Sequence, residues 1–144
     1  MEHKTKAPQS ITLLFVEDDD VILDIQSSIL AVKFPDVTIY TANNGRRGLE
    51  LFTEHAHDIV ITDINMPDMC GVQMTENIRA LKPDTKIISI TGKSAEISTN
   101  GKFILYSSDR NMVEFDHVIV KPVDLYELYE VIEQYIGEVT QSVS

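Results

Sequence analysis

Asp63 closes the run Ile59-Val60-Ile61-Thr62, and the turn formers Asn65 and Pro67 follow it. Other short apolar runs stop on a polar group in the same way: 11–16 on Glu17 and Asp18, 86–90 on Thr91, and 117–120 on Lys121. As parallel strands these runs would bring all of those groups to one rim, where α/β sheets place their chemistry. Three crowded carboxylates repel one another and need a cation, and oxygen-only donors favour Mg2+. A neutralised rim leaves Asp63 ionised and able to act as a nucleophile. The set suits transfer of a phosphoryl group to the Asp63 carboxylate. Lys121 would act as a point charge and Thr91 as a hydroxyl donor toward the phosphoryl oxygens.

Such a rim requires a parallel sheet, and the chain reads as one. Residues 11–16 (ITLLFV) are almost continuously apolar, as in a strand buried on both faces. A helix is expected from there to Lys33, with Ile22, Ile25, Ile29 and Val32 as its apolar face and Asp19 or Asp20 as its N-cap. Pro35 stops it. Residues 37–41 (VTIYT) form a second strand, 43–45 a turn, and 46–53 a short helix in which Gly48 allows close approach to the sheet. The third strand is 59–62. The helix 71–81 turns Met74, Ile78 and Leu81 to one side, and 86–90 (KIISI) is the fourth strand. Residues 94–111 are expected to hold one helix, broken at Gly101, with 103–112 its better piece. The fifth strand is 117–120. Asp124 caps a last helix carrying Leu125, Leu128, Tyr129, Ile132 and Ile136 on one face, with Gly137 ending it.

Five strands alternating with five helices give an α/β, flavodoxin-like, doubly wound (βα)5 three-layer sandwich. The parallel sheet order 2-1-3-4-5 is taken by fold analogy. Residues 1–10 and 138–144 are expected to be tails flanking a domain over 11–137.

The 144 residues suit one domain, and 43% hydrophobic content can fill its core. With 12 Lys and Arg against 23 Asp and Glu, the formal charge is −11, which argues against nucleic acid and against an anionic membrane surface. Cys70 is the single cysteine, so no internal disulfide can form. No stretch has the length of a membrane span, and the first apolar run is too short for a signal-peptide core. A soluble cytoplasmic protein is the expectation.

The pieces Val16-Glu17-Asp18-Asp19, Asp63-Ile64-Asn65-Met66-Pro67-Asp68-Met69-Cys70-Gly71, Thr91-Gly92 and Lys121-Pro122 are each weak. In this order, on the ends of the first, third, fourth and fifth strands, they resemble the response-regulator receiver domains of two-component signalling, over residues 11–136. The resemblance implies that Asp63 accepts phosphate from a phosphohistidine on a histidine kinase or histidine phosphotransfer protein. It implies that Asp18, Asp63 and the backbone carbonyl of Asn65 hold Mg2+ directly and Glu17 through a water. Thr91 and Lys121 would hold the phosphoryl oxygens, and the Lys121–Pro122 bond would be cis. A downstream protein would read the change. The domain would be a self-phosphorylating and self-dephosphorylating phosphoacceptor rather than a turnover enzyme.

Several positions depart from that pattern. Cys70 stands where an aspartate is usual, and Val118 where an aromatic switch residue is usual. The stretch between Thr91 and Lys121 is longer by about one to two helical turns, with the surplus around 98–109. The last helix carries Asp124, Glu127, Glu130 and Glu133 with no basic residue after Lys121, so a monomer is expected, with a phosphorylation-dependent dimer as the alternative. His55 and His57 have metal-pair spacing but no third ligand nearby in sequence, and read as packing or surface residues. Two other functions fit parts of the sequence. One is an Mg2+-dependent phosphatase with an aspartyl nucleophile, although Asn65 stands where its second carboxylate belongs. The other is a receiver-like interaction domain that works without phosphorylation.

Overall fold

A computed structural model describes residues 11–67, 69–92, 96–97, 103–106 and 112–140. The tail expected over 1–10 lies outside these residues, as do 141–144. Strand β1 (Thr12–Val16) leads into α1 (Asp20–Lys33), β2 (Thr38–Ala42) into α2 (Gly45–His55), and β3 (Ile59–Asp63) into α3 (Gly71–Leu81). Strand β4 (Lys86–Thr91) is followed by three short strands, β5 (Glu96–Ile97), β6 (Phe103–Tyr106) and β7 (Met112–Phe115). Then come β8 (His117–Val120) and α4 (Leu125–Thr140). The parallel sheet runs β2-β1-β3-β4-β8, the expected order with β8 as the fifth parallel strand.

Side chains alternate across this sheet and build a core on each face. Leu13, Phe15, Ile59, Ile61 and Ile119 pack under α1 and α4 with Leu23, Leu30, Leu128 and Ile132. Leu14, Val16, Val60 and Ile87 pack under α2 and α3 with Phe52, Met74 and Ile78. Both faces of β1 and β3 are covered, which is why those strands are near-continuous apolar runs.

Two caps stand where the sequence puts them: Asp19 accepts from the Val21 and Ile22 N–H groups, and Asp124 from Tyr126 and Glu127. Asn44, expected in a turn, is the N-cap of α2 and accepts from the Arg47 N–H. In α1 the inward face differs from the expected one. Ile22, Ile25 and Val32 are 38, 54 and 84% exposed, whereas Leu23 and Leu30 are buried. The helix is apolar on two sides, so spacing alone could not say which side meets the sheet. Gly137 does not end α4, which runs on to Thr140. Ile136 and Val139 on either side pack against the core and hold the helix across it.

The main departure is the fourth crossover. No helix appears there among the described residues. The helical piece expected over 103–112 is replaced by β6 and β7, which pair antiparallel, with β5 added to β6. The count of five helices is thereby corrected to four among the described residues. The small sheet takes the fourth helix's place on the α2–α3 face: Val113, Phe115 and Phe103 join Val118 in that core. Arg79 of α3 staples it down. Its guanidinium donates to the Pro83, Thr85 and Glu114 carbonyls and pairs with Asp116 at 2.8 Å, while Asp116 also accepts from the Ile87 N–H.

Candidate functional site

The chemistry sits where β1, β3, β4 and β8 end. The Glu17 N–H still donates to the Ala42 carbonyl at 3.1 Å, so the chain leaves β1 with Glu17 held inside, 5% exposed. Asp18, the next residue, faces solvent. Asp63 is the last residue of β3, in register with Ile90 and 3% exposed. Thr91 ends β4 and is buried. Lys121 follows β8, its N–H donating to the Thr91 carbonyl at 2.8 Å. Register alone therefore brings together residues that lie far apart in sequence.

Lys121 Nζ stands 3.1 Å from Asp63 Oδ2. The other oxygen, Oδ1, accepts from the Asn65 N–H at 3.3 Å. Glu17, Asp18 and Asp63 each bring a carboxylate oxygen within 4.8 Å of the others. That crowding shows in Glu17, whose carboxyl is pushed up from 4.5 to about 7. Burial is the main cause, and the neighbouring Asp18 and Asp63 add to it. Oxygen donors in this arrangement, one of them holding a proton that a cation would displace, fit a hard divalent ion. It is the only such cluster of His, Cys, Asp and Glu among the described residues.

The loop between β3 and α3 is held at several points. The Gly71 N–H closes it onto the Ile64 carbonyl at 3.0 Å. A Cβ on Gly71 would lie 2.3 Å from the Asp63 carbonyl oxygen. Gly45, the first residue of α2, is as close to the other arm: its Cβ would lie 2.3 Å from the Met69 carbonyl oxygen. From sequence Gly45 is expected only as a turn residue, and nothing along the chain points to this contact. Its partner is remote in the chain, and glycine after Asn-Asn already has a local explanation.

Every expected site residue is thus on the rim, and the Lys121–Pro122 bond is cis. Cys70 precedes α3 as a half-buried free thiol whose side chain makes no capping bond. His55 and His57 lie at the other end of β3, packed on Tyr40 with ring centroids 4.5 and 4.7 Å away. Val118 is buried against the small sheet. No helix among the described residues is long and apolar enough to cross a membrane.

The sequence profile of the response regulator receiver domain matches residues 13–133. The chain is 30% identical over 105 residues to the cell cycle transcriptional regulator CtrA of Caulobacter vibrioides, which covers 73% of this chain and 44% of that protein. It is 32% identical over 122 residues to the regulatory protein AtoC of Escherichia coli, covering 85% and 24% respectively. It spans about half the length, or less, of these curated relatives. Among solved structures, a CheY-like response regulator receiver domain protein from Methanospirillum hungatei superposes with a TM-score of 0.69 at 27% identity, covering 89% of this chain and 94% of that one.

Proposed function

Because the chain belongs to the response regulator receiver domain family, we propose that it is a phosphorylation-switched signalling module with Asp63 as the phosphate acceptor. The observation that carries this reading is the Asp63 carboxylate, buried at the end of the central strand, with Lys121 Nζ at 3.1 Å and the Glu17 and Asp18 oxygens beside it.

The donor is a phosphohistidine on a histidine kinase or histidine phosphotransfer protein. An Asp63 carboxylate oxygen attacks phosphorus, the P–N bond breaks, and the imidazole leaves with the electron pair and takes up a proton. The product is an acyl phosphate. Lys121 sits where it can neutralise one phosphoryl oxygen, and Thr91 supplies a hydroxyl from the adjacent strand end. Asp18, Asp63 and the Asn65 carbonyl would hold Mg2+, with Glu17 acting through water. The ion would supply positive charge that lets a carboxylate meet an anionic donor. Water later cleaves the acyl phosphate to return free phosphate, so the domain turns itself off and is no turnover enzyme.

The donor must come in over the rim. Val21, Ile22 and Ile25 are exposed on α1 close to Asp18 and offer an apolar surface for a helical donor. Output runs from Thr91 into the small sheet and β8, and a downstream protein reads the result in the cytoplasm. Beryllofluoride, or phosphate from acetyl phosphate, should bind only with Mg2+ present. Equal uptake by Asp63→Asn would refute the assignment.

One observation favours a second reading, an interaction domain indifferent to phosphate: the fourth helix is replaced by a sheet. Amide resonances of β6 and β7 that stay fixed on beryllofluoride binding would support it.

A further inference from the structure

The Met69 carbonyl presses against Gly45 so closely that no side chain fits between them. Gly45 begins α2, whose first turn is held by Asn44, which accepts from the Arg47 N–H at 2.8 Å. Met69 belongs to the loop that starts at Asp63 and contains Asn65. Both ends of that loop are tied, the Ile64 N–H to the Ile90 carbonyl at 3.1 Å and the Gly71 N–H to the Ile64 carbonyl at 3.0 Å, so the span between them, with Asn65 and Met69 in it, is what α2 can move. We propose that Gly45 is a positioning residue for the phosphoacceptor site: the start of α2 seats the β3–α3 loop and thereby sets where Asn65 stands relative to Asp63. The inference rests on the reading of Asp63 given above.

The physical case is steric. A Cβ at position 45 would lie 2.3 Å from a backbone oxygen and 3.1 Å from Met69 Cβ. Real Cβ atoms keep at least 3.0 Å from such neighbours, so helix and loop must separate by about 0.7 Å or more. A carbonyl oxygen cannot swing aside as a side-chain end can, and the shift passes into the loop backbone. A misplacement of about 1 Å arising away from the reacting groups can cost about a hundredfold in rate, and loss of groups that orient metal ligands costs about ten- to a hundredfold in metal affinity. Gly48, one turn along the same helix, supplies the control. A Cβ there would lie 2.9 Å from Met74 Sδ, the end of a flexible side chain that can give way, and 2.9 Å from a Val16 methyl, which needs to move only about 0.1 Å; neither belongs to the loop.

The experiment titrates the full chain with Mg2+ and then beryllofluoride, following backbone amide resonances, for the wild type, Gly45→Ala, Gly48→Ala and Asn44→Ala. We expect Gly45→Ala to bind Mg2+ at least about tenfold more weakly than the wild type, with shifted Asn65 and Met66 amides before any ligand is added. Gly48→Ala should stay within about twofold of the wild type at a matched folded fraction. Asn44→Ala loosens the same helix start without a clash and should lose about twofold or more. It decides the matter if Gly45→Ala does not fold. Wild-type Mg2+ affinity in Gly45→Ala, or in Asn44→Ala where Gly45→Ala does not fold, overturns the proposal. So does an equal loss in Gly48→Ala, which would mean general loosening. A wild type that takes neither Mg2+ nor beryllofluoride refutes the reading of Asp63 itself, and the role of Gly45 with it.

Discussion

His57 should make the protein acid-sensitive, and the size of the effect follows from its surroundings. The side chain is fully buried, and neither ring nitrogen has a hydrogen-bond partner. Tyr40 and Phe52 pack on the ring at 4.7 and 6.0 Å, with His55 at 5.7 Å. Burial lowers its pKa from 6.5 to about 4, helped by His55 and Lys82 and opposed by Asp58. Between those values the unfolded chain takes up a proton that the folded chain refuses. Stability attributable to His57 is therefore complete above pH 6.5 and falls as the pH drops, levelling off below pH 4. The whole loss is about 3 kcal/mol, of which about 2 kcal/mol falls between pH 7 and pH 5. His57→Phe keeps an aromatic ring and removes the titration. Urea unfolding followed by far-UV circular dichroism at the two pH values measures the difference, and for a chain of this size it should move the wild-type midpoint by about 1 M relative to the variant. Other titrating groups, Glu17 among them, are common to both proteins and cancel. If wild type and variant lose stability in parallel between pH 7 and pH 5, the imidazole is hydrated or bonded in solution and the reasoning is wrong.

Glu17 acts in the opposite sense. Its carboxyl is raised from 4.5 to about 7, so without a cation its contribution to folding is complete below pH 4.5 and is lost as the pH rises through 7. The same proton competes with Mg2+, so Mg2+ affinity measured by amide shifts should weaken below pH 7, and Glu17→Gln should flatten that dependence. Gly137→Ala should stabilise the protein by about 1 kcal/mol, raising the thermal midpoint by about 3 °C, since a Cβ there meets nothing within 4 Å. Arg79→Met should cost about 3 kcal/mol by leaving the buried Asp116 without its guanidinium. Hydrogen exchange should show the loss concentrated in β7, and protection there equal to the wild type would count against the staple.

What could be read along the chain was whatever depends on neighbours in sequence. Apolar runs ending on polar groups marked the strands and their functional ends, and Asp19 and Asp124 announced helix starts because a cap acts within one turn. The inward face of α1 was not readable, because Ile22 and Ile25 are as apolar as Leu23 and Leu30 and only the sheet chooses between them. The fourth crossover failed for a related reason. Phe103–Tyr106 and Met112–Phe115 are short apolar runs that fit a strand or a piece of helix equally well. Their mutual pairing, and burial of Phe115 on the sheet, decide the matter. Gly137 misled because its helix penalty of about 1 kcal/mol is outweighed by the packing of its neighbours.

The order of residues along the chain specifies the chemical types at the rim: carboxylates at Glu17, Asp18 and Asp63, a hydroxyl at Thr91, an ammonium at Lys121. Those types follow from single residues at strand ends. Packing in three dimensions settles that Lys121 reaches Asp63 at 3.1 Å, that burial, with Asp18 and Asp63 alongside, holds a proton on Glu17 to about pH 7, and that Gly45 braces the loop at Met69. Each of these depends on a separation between atoms far apart in the chain, set by strand register and packing rather than by any local pattern.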